Sequence, residues 1–163
     1  MGPISAAPHL LALALAAGAL VAAAIADLKS YEIPNRYALA IALAFPLFAL
    51  GGGWVAALLG LAAGLAAFAM GTVLFAKGWL GGGDVKLFAA VALWLAPPLF
   101  APFALVTSLA GAILSMAMLT PLRRCLPAPP VNHSHETGLR QPVPYGVAIA
   151  AGGLYVLLQR VTA

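Results

Sequence analysis

From residue 1 to residue 26 the chain carries no Asp, Glu, Lys or Arg, and its first ionised side chain is Asp27. Residues 8–26 form an Ala/Leu-rich apolar run of the roughly 20-residue length that crosses a bilayer as a helix. A helix satisfies its own backbone polar groups, so it is the form such a run takes in lipid. Cleavage of this run as a signal peptide is the competing reading, with Ala22-Ala23-Ala24 as a small-residue site. No Lys or Arg precedes it, and it exceeds the roughly 7–15 residues of a signal peptide's apolar core, so it reads as a permanent first span.

The same pattern repeats. Apolar segments at about 37–50, 54–76, 85–96, 102–120 and 143–159 are separated by Gly, Pro and nearly all the remaining charge. Charged residues make up 7% of the 163 residues and hydrophobic ones 64%, with a mean hydropathy of +1.05. Soluble domains carry about 25% charged residues, so this chain cannot clothe a water-facing surface. The expectation is an all-α, polytopic membrane bundle of about six transmembrane helices, forming one domain over 1–163. Pro46 is expected to kink the second span. Gly60 and Gly64 offer a small-xxx-small face on the third. Only 12 apolar residues separate Val85 from Pro97-Pro98, so either the fourth helix continues towards Phe100 or Asp84 lies below the membrane surface.

The net charge of +4 does not indicate nucleic-acid binding, because the basic residues are scattered and aromatic stacking platforms are missing. It orients loops instead. Lys29, Arg36, Lys77, Lys86, Arg123, Arg124 and Arg140 fall in alternate loops, whereas the other loops and the termini hold only Arg160. The positive-inside bias puts the first set in the cytoplasm and both termini outside. All four carboxylates, Asp27, Glu32, Asp84 and Glu136, lie on that same side. A carboxylate at the edge of an apolar span is costly, which makes Asp27 and Asp84 functional candidates at a common depth.

Asp84 follows three glycines in Gly81-Gly82-Gly83-Asp84-Val85-Lys86. Glycines here permit close backbone approach, which suits a site where a peptide lies against the protein. The plain alternative is that Asp84 caps the following helix. Asp27 is followed by Ile33-Pro34-Asn35, where Pro34 disfavours helix at Ile33 and Asn35 can cap the next helix. Pro144-Tyr145-Gly146 precedes the last span.

Together these motifs resemble the type IV prepilin peptidases, GxGD-type aspartic proteases of the bacterial inner membrane. The short chain is similar to the Tad/Flp-pilus branch. The resemblance implies a multi-pass enzyme whose active site faces the cytoplasm. It also implies that Asp27 and Asp84 are catalytic, supported by Gly81, Gly83, Lys86, Ile33, Pro34, Asn35, Pro144, Tyr145 and Gly146. Its partners would be membrane lipid and a prepilin, engaged through leader peptide and hydrophobic helix. No cofactor or metal is implied. Many members carry a domain with four zinc-binding cysteines and also methylate the new N-terminus. This chain has one cysteine, Cys125, and no such insertion, so the resemblance implies proteolysis and leaves methyl transfer unsupported.

Two neighbouring carboxylates cannot both ionise cheaply. Lys86 and the helix start favour an ionised Asp84. This leaves Asp27 as the partner expected to hold the proton, although such a pair titrates as a unit. Other classes find less support in these residues. His133-Ser134-His135-Glu136 lacks the HExxH spacing of a metalloprotease and reads as a solvated loop. Ser108 is not in a Gly-x-Ser-Gly setting and reads as a packing hydroxyl. A small ion-coupled transporter would use Asp27 and Asp84 as a relay. A noncatalytic pilus or secretion assembly subunit would use neither.

Overall fold

The computed structural model describes residues 3–52, 54–121 and 143–162. Cys125, Arg123, Arg124, Arg140 and the His133–Glu136 cluster lie outside the described residues. Among those described there are six α-helices and no strand: α1 (Pro3–Ser30), α2 (Asn35–Gly52), α3 (Trp54–Ala76), α4 (Gly82–Ala92), α5 (Phe100–Met118) and α6 (Tyr145–Thr162). Three stretches, Ala7–Ser30, Trp54–Ala76 and Pro97–Met118, are long and apolar enough to cross a membrane. Asn35–Ala49 and Tyr145–Val161 are shorter apolar helices. Large side chains such as Leu43, Leu65, Ile113 and Met116 point outward. Lipid, not water, is the solvent that tolerates such a surface. The protein is a membrane helix bundle.

α1 packs against α2 and α6, α3 against α4, and α5 against α6, while α4 also touches α2 and α6. The core is built from Leu20, Ile41, Leu87, Val91, Trp94 and Val156, each almost wholly buried. Gly60, Gly64, Ala67 and Gly71 form one buried stripe on α3 at helical spacing. A Cβ at Gly60 would strike the Leu93 carbonyl and the Phe45 ring, one at Gly64 the Leu93 side chain, and one at Gly71 Val85. The Gly60/Gly64 face is therefore filled from within, by Phe45 of α2 and by the end of α4 with Leu93 just beyond it.

α4 is the shortest helix, with 11 residues, or about 16 Å. It does not run on to Phe100. Past Ala92 the chain tightens, with the Trp94 amide donating to the Val91 carbonyl and the Leu95 amide to the Ala92 carbonyl. Ala96 is extended, as a residue before proline must be, and Pro97–Leu99 forms one 3₁₀ turn leading into α5. Asp84 thus begins a helix too short to span. At the end of α1, Tyr31 adopts a left-handed conformation (φ 55°) while its amide still donates to the Asp27 carbonyl at 2.8 Å. That reversal turns Ile33-Pro34 back across the bundle end.

Candidate active site

The end of α1, the start of α2, the start of α4 and the start of α6 converge at one end of the bundle. Asp27, in the last turns of α1, is 4% exposed and is the buried charged residue among the described ones. Its Oδ2 accepts a hydrogen bond of 2.7 Å from the Gly146 amide, with the Val147 amide alongside. The Gly146 amide is free to donate because it opens α6, where the first N–H groups have no partner within the helix, while the Val147 amide also donates to the Pro144 carbonyl at 3.3 Å. Pro144 fixes the chain just ahead of them. Glycine is required at 146 for close approach: a Cβ there would lie 2.8 Å from Asp27 Oδ2 and collide with Ile33 Cδ1.

Asp84 occupies the first turn of α4, at the edge of the helix and ahead of its apolar stretch. Gly81 is the N-cap residue, so the aspartate is three positions in, and its carboxylate turns back to face the Gly81 amide. Asp84 is therefore not the N-cap residue of the plain alternative: Gly81 holds that place with no side chain to cap with, and Asp84 reaches back to it from the first turn. Capping does not account for the electrostatics. Burial, reinforced by the nearby Asp27 charge, pushes the Asp84 carboxyl from 3.8 up to about 7, against the opposing pull of the Gly81 amide. Burial at this position therefore favours the neutral form of Asp84. The ionised Asp84 expected from Lys86 and the helix start thus meets an opposing burial cost, while Asp27 receives the Gly146 amide hydrogen bond.

Lys86 is not the counter-charge of Asp84. Two residues apart on a helix, the side chains diverge. The Lys86 ammonium donates to Asn35 Oδ1 at 2.9 Å. Asn35 thereby ties the start of α2 to the start of α4, in place of the capping role expected of it. Ile33 lies in the middle of the site. A Cβ on Gly83 would sit 3.1 Å from Ile33 Cβ, and one on Gly82 would sit 3.3 Å from the Phe75 ring. These two glycines admit the protein's own side chains, while Gly81 stays exposed. Tyr145 points away from the aspartates, its ring and hydroxyl resting in the space left by Gly111 on α5.

Asp27, Ile33, Gly81, Gly83, Asp84 and Gly146 thus come together, with Lys86–Asn35 as a brace beside them and Pro144 beneath. Glu32 is exposed. Ser108, expected to pack between helices, is exposed along a groove of about 430 Å³ between α3, α4 and α5. It is the neighbouring Thr107 whose hydroxyl presses on Gly152 of α6. Sequence reasoning missed the amides at the start of α6 as partners of Asp27. The signal available was Pro-Tyr-Gly ahead of an apolar run, which marks a helix start with free N–H groups.

Two carboxylates, one buried and bonded to a backbone amide and one drawn towards its neutral form, can together accept and donate a proton at a single substrate atom. A profile of the type IV leader peptidase family matches residues 14–116, which contain both aspartates. Among curated proteins, the prepilin leader peptidase/N-methyltransferase of Bacillus subtilis (strain 168) is 32% identical over 142 residues, covering 85% of this chain and 52% of that protein. The chain thus spans about half the length of the curated relative it matches. No solved structure matches it.

Proposed function

The chain belongs to the type IV leader peptidase family, and from that premise we propose that it is a membrane aspartic endopeptidase that removes the leader peptide from type IV, Flp-like prepilins. Asp27 and Asp84 form its catalytic pair. The observation that carries this reading is the electrostatic link between the two aspartates, with Asp27 fixed by the Gly146 amide and Asp84 drawn towards protonation beside it.

In the cleavage step, water lies between the pair and the scissile carbonyl. Ionised Asp27 takes a proton from the water as its oxygen bonds to the carbonyl carbon. Protonated Asp84 donates to the carbonyl oxygen, giving a neutral tetrahedral gem-diol. Collapse re-forms the carbonyl as ionised Asp84 takes back the proton of one gem-diol hydroxyl, while the C–N bond breaks and the proton held by Asp27 passes to the departing amine. The Gly146 amide keeps Asp27 in one orientation throughout, so little reorganisation is needed as charge moves.

The site faces the cytoplasm of the bacterial inner membrane, with both termini outside, on the strength of the basic asymmetry between loop sets. The leader peptide docks at that face while the helical part of the prepilin stays in lipid. The relative's name couples the peptidase to an N-methyltransferase. With one cysteine this chain supplies no four-cysteine zinc site, and only the peptidase half is assigned to it.

The test is incubation of purified protein with a synthetic prepilin peptide spanning leader and apolar segment, followed by mass spectrometry. A single cut at the leader junction, leaving an unmethylated N-terminus, is expected. An intact peptide, together with ion flux in proteoliposomes that depends on Asp27 and Asp84, would replace the protease by a transporter.

A further inference from the structure

At the end of the bundle opposite the aspartates, a single arginine is bound into the core. Arg160, near the end of α6, donates from Nε (3.2 Å) and Nη2 (3.0 Å) to the carbonyl oxygen of Trp94. Its guanidinium lies over the Phe48 ring, 5.3 Å from the centroid, and Phe48 leans on the Trp94 indole at 4.9 Å. The indole Nε1 in turn donates to the Ile41 carbonyl of α2 at 3.3 Å. Trp94 is 1% exposed and lies two residues past the end of α4, where the last carbonyls of a helix have no partner of their own. A carbonyl stranded in an apolar core is costly. The fork of Arg160 satisfies it with two donors at once.

Three contacts of α6 recur at seven-residue intervals, hence on one face. Gly146 donates to Asp27 of α1. Gly153 lies where a Cβ would come within 2.9 Å of Leu20 on α1 and 3.1 Å of Val91 on α4. Arg160 holds Trp94. One helix about 21 Å long from first contact to last therefore touches α1 at the aspartate, both helices midway, and the foot of α4 at its far end. α4 carries Asp84 at its head, and its 11 residues are too few for lipid anchoring at both ends to fix its depth.

We propose that α6 is the strut that sets the axial register of α4 against α1, and that Arg160, by gripping the Trp94 carbonyl, is the positioning residue that holds Asp84 level with Asp27. The inference rests on the aspartic-peptidase reading for its kinetic arm. A second arm is independent of activity.

In the kinetic arm, full-length Arg160→Gln and Arg160→Lys are purified and assayed on the prepilin peptide beside thermal unfolding. Arg160→Gln loses about 10-fold or more in kcat with KM unchanged, because the surface that meets substrate is untouched while the pair is misaligned. Arg160→Lys, which keeps one donor, stays within about threefold of wild type. A purely structural arginine would lower the unfolding temperature and leave kcat per folded molecule intact, and that result overturns the proposal. So does failure of both variants to fold, which would make Arg160 a stability residue alone.

The second arm uses Asn35→Cys with Lys86→Cys in a Cys125→Ser background. A short bifunctional thiosulfonate gauges how the head of α4 meets α2. Adding Arg160→Gln slows this crosslink several-fold if α4 slips, and an unchanged rate contradicts the strut. If wild type cleaves no peptide but the crosslink slows, the strut stands and the peptidase reading falls. If wild type cleaves and neither readout moves, the reverse holds.

Discussion

The Gly146 amide and the Asp27 carboxylate meet at 2.7 Å across 119 positions of sequence, joining the start of the last helix to the end of the first. The bond supplies a donor to a carboxylate buried to 4% exposure, and the glycine leaves room for it. A charge-assisted hydrogen bond of this kind is worth about 1.5–3 kcal/mol.

Gly146→Ala tests that relationship. The added methyl cannot coexist with Asp27 Oδ2 at 2.8 Å and with Ile33 Cδ1. Cleavage is expected to fall by roughly 10- to 100-fold, with a lower unfolding temperature, as one hydrogen bond is lost and a tight contact is forced. An alanine variant that cleaves at the wild-type rate would mean the contact is incidental.

Asp84 makes stability depend on pH with a definite sign. Its carboxyl ionises near 3.8 when unfolded and at about 7 in the fold, so between these values the native state holds the extra proton. Stability present below the ordinary carboxylate range is therefore lost as pH rises through about 7, and is level beyond. Thermal unfolding from pH 4 to 9 should show this decline, and Asp84→Asn should reduce it. Cleavage should weaken over the same alkaline range, because an ionised Asp84 has no proton to donate.

The Lys86–Asn35 contact is exposed and should contribute modestly. Lys86→Met and Asn35→Ala are each expected to cost under about 1 kcal/mol. A double-mutant cycle should give a coupling of about 0.5 kcal/mol or more, since the two share one bond. Additive effects would show that the brace does not form in the membrane.

Orientation is read out by the single thiol. Cys125 lies in the basic 121–141 segment, which the charge asymmetry assigns to the cytoplasm. A membrane-impermeant maleimide should label it in lysed cells and leave it unlabelled in intact ones. Labelling of intact cells would invert the topology.

What the sequence made legible, and what it concealed, follows from the range of the forces involved. α3 was readable to the residue at both ends, Trp54 and Ala76, because a continuous apolar run is bounded by glycines on one side and Lys77 on the other. The proximity of Asp27 and Asp84 was readable because helix alternation fixes depth. Tertiary partners were not. Lys86 finds Asn35 across 51 positions, and nothing local distinguishes that partner from Asp84, two residues away. The face of Gly60 and Gly64 signals close packing but not what packs there, and the end of α4 together with Phe45 of α2 proved to be the occupants. The support expected for an ionised Asp84 failed for the same reason, since it rested on Lys86 as a neighbour. Arg160 read as a lone outer charge because a backbone carbonyl left over at the end of α4 has no signature in side-chain composition.

The account's central claim is that Asp27 and Asp84 act as one catalytic unit. The most direct measurement is kcat on a prepilin peptide for Asp27→Asn, Asp84→Asn and the double variant, each verified as folded and membrane-inserted, with Glu32→Gln as the exposed-carboxylate control. Each single substitution should cost about three orders of magnitude, the double variant scarcely more, and Glu32→Gln little, because residues that work as a unit are lost together. Wild-type cleavage by folded Asp27→Asn or Asp84→Asn, or losses that multiply in the double variant, would contradict it.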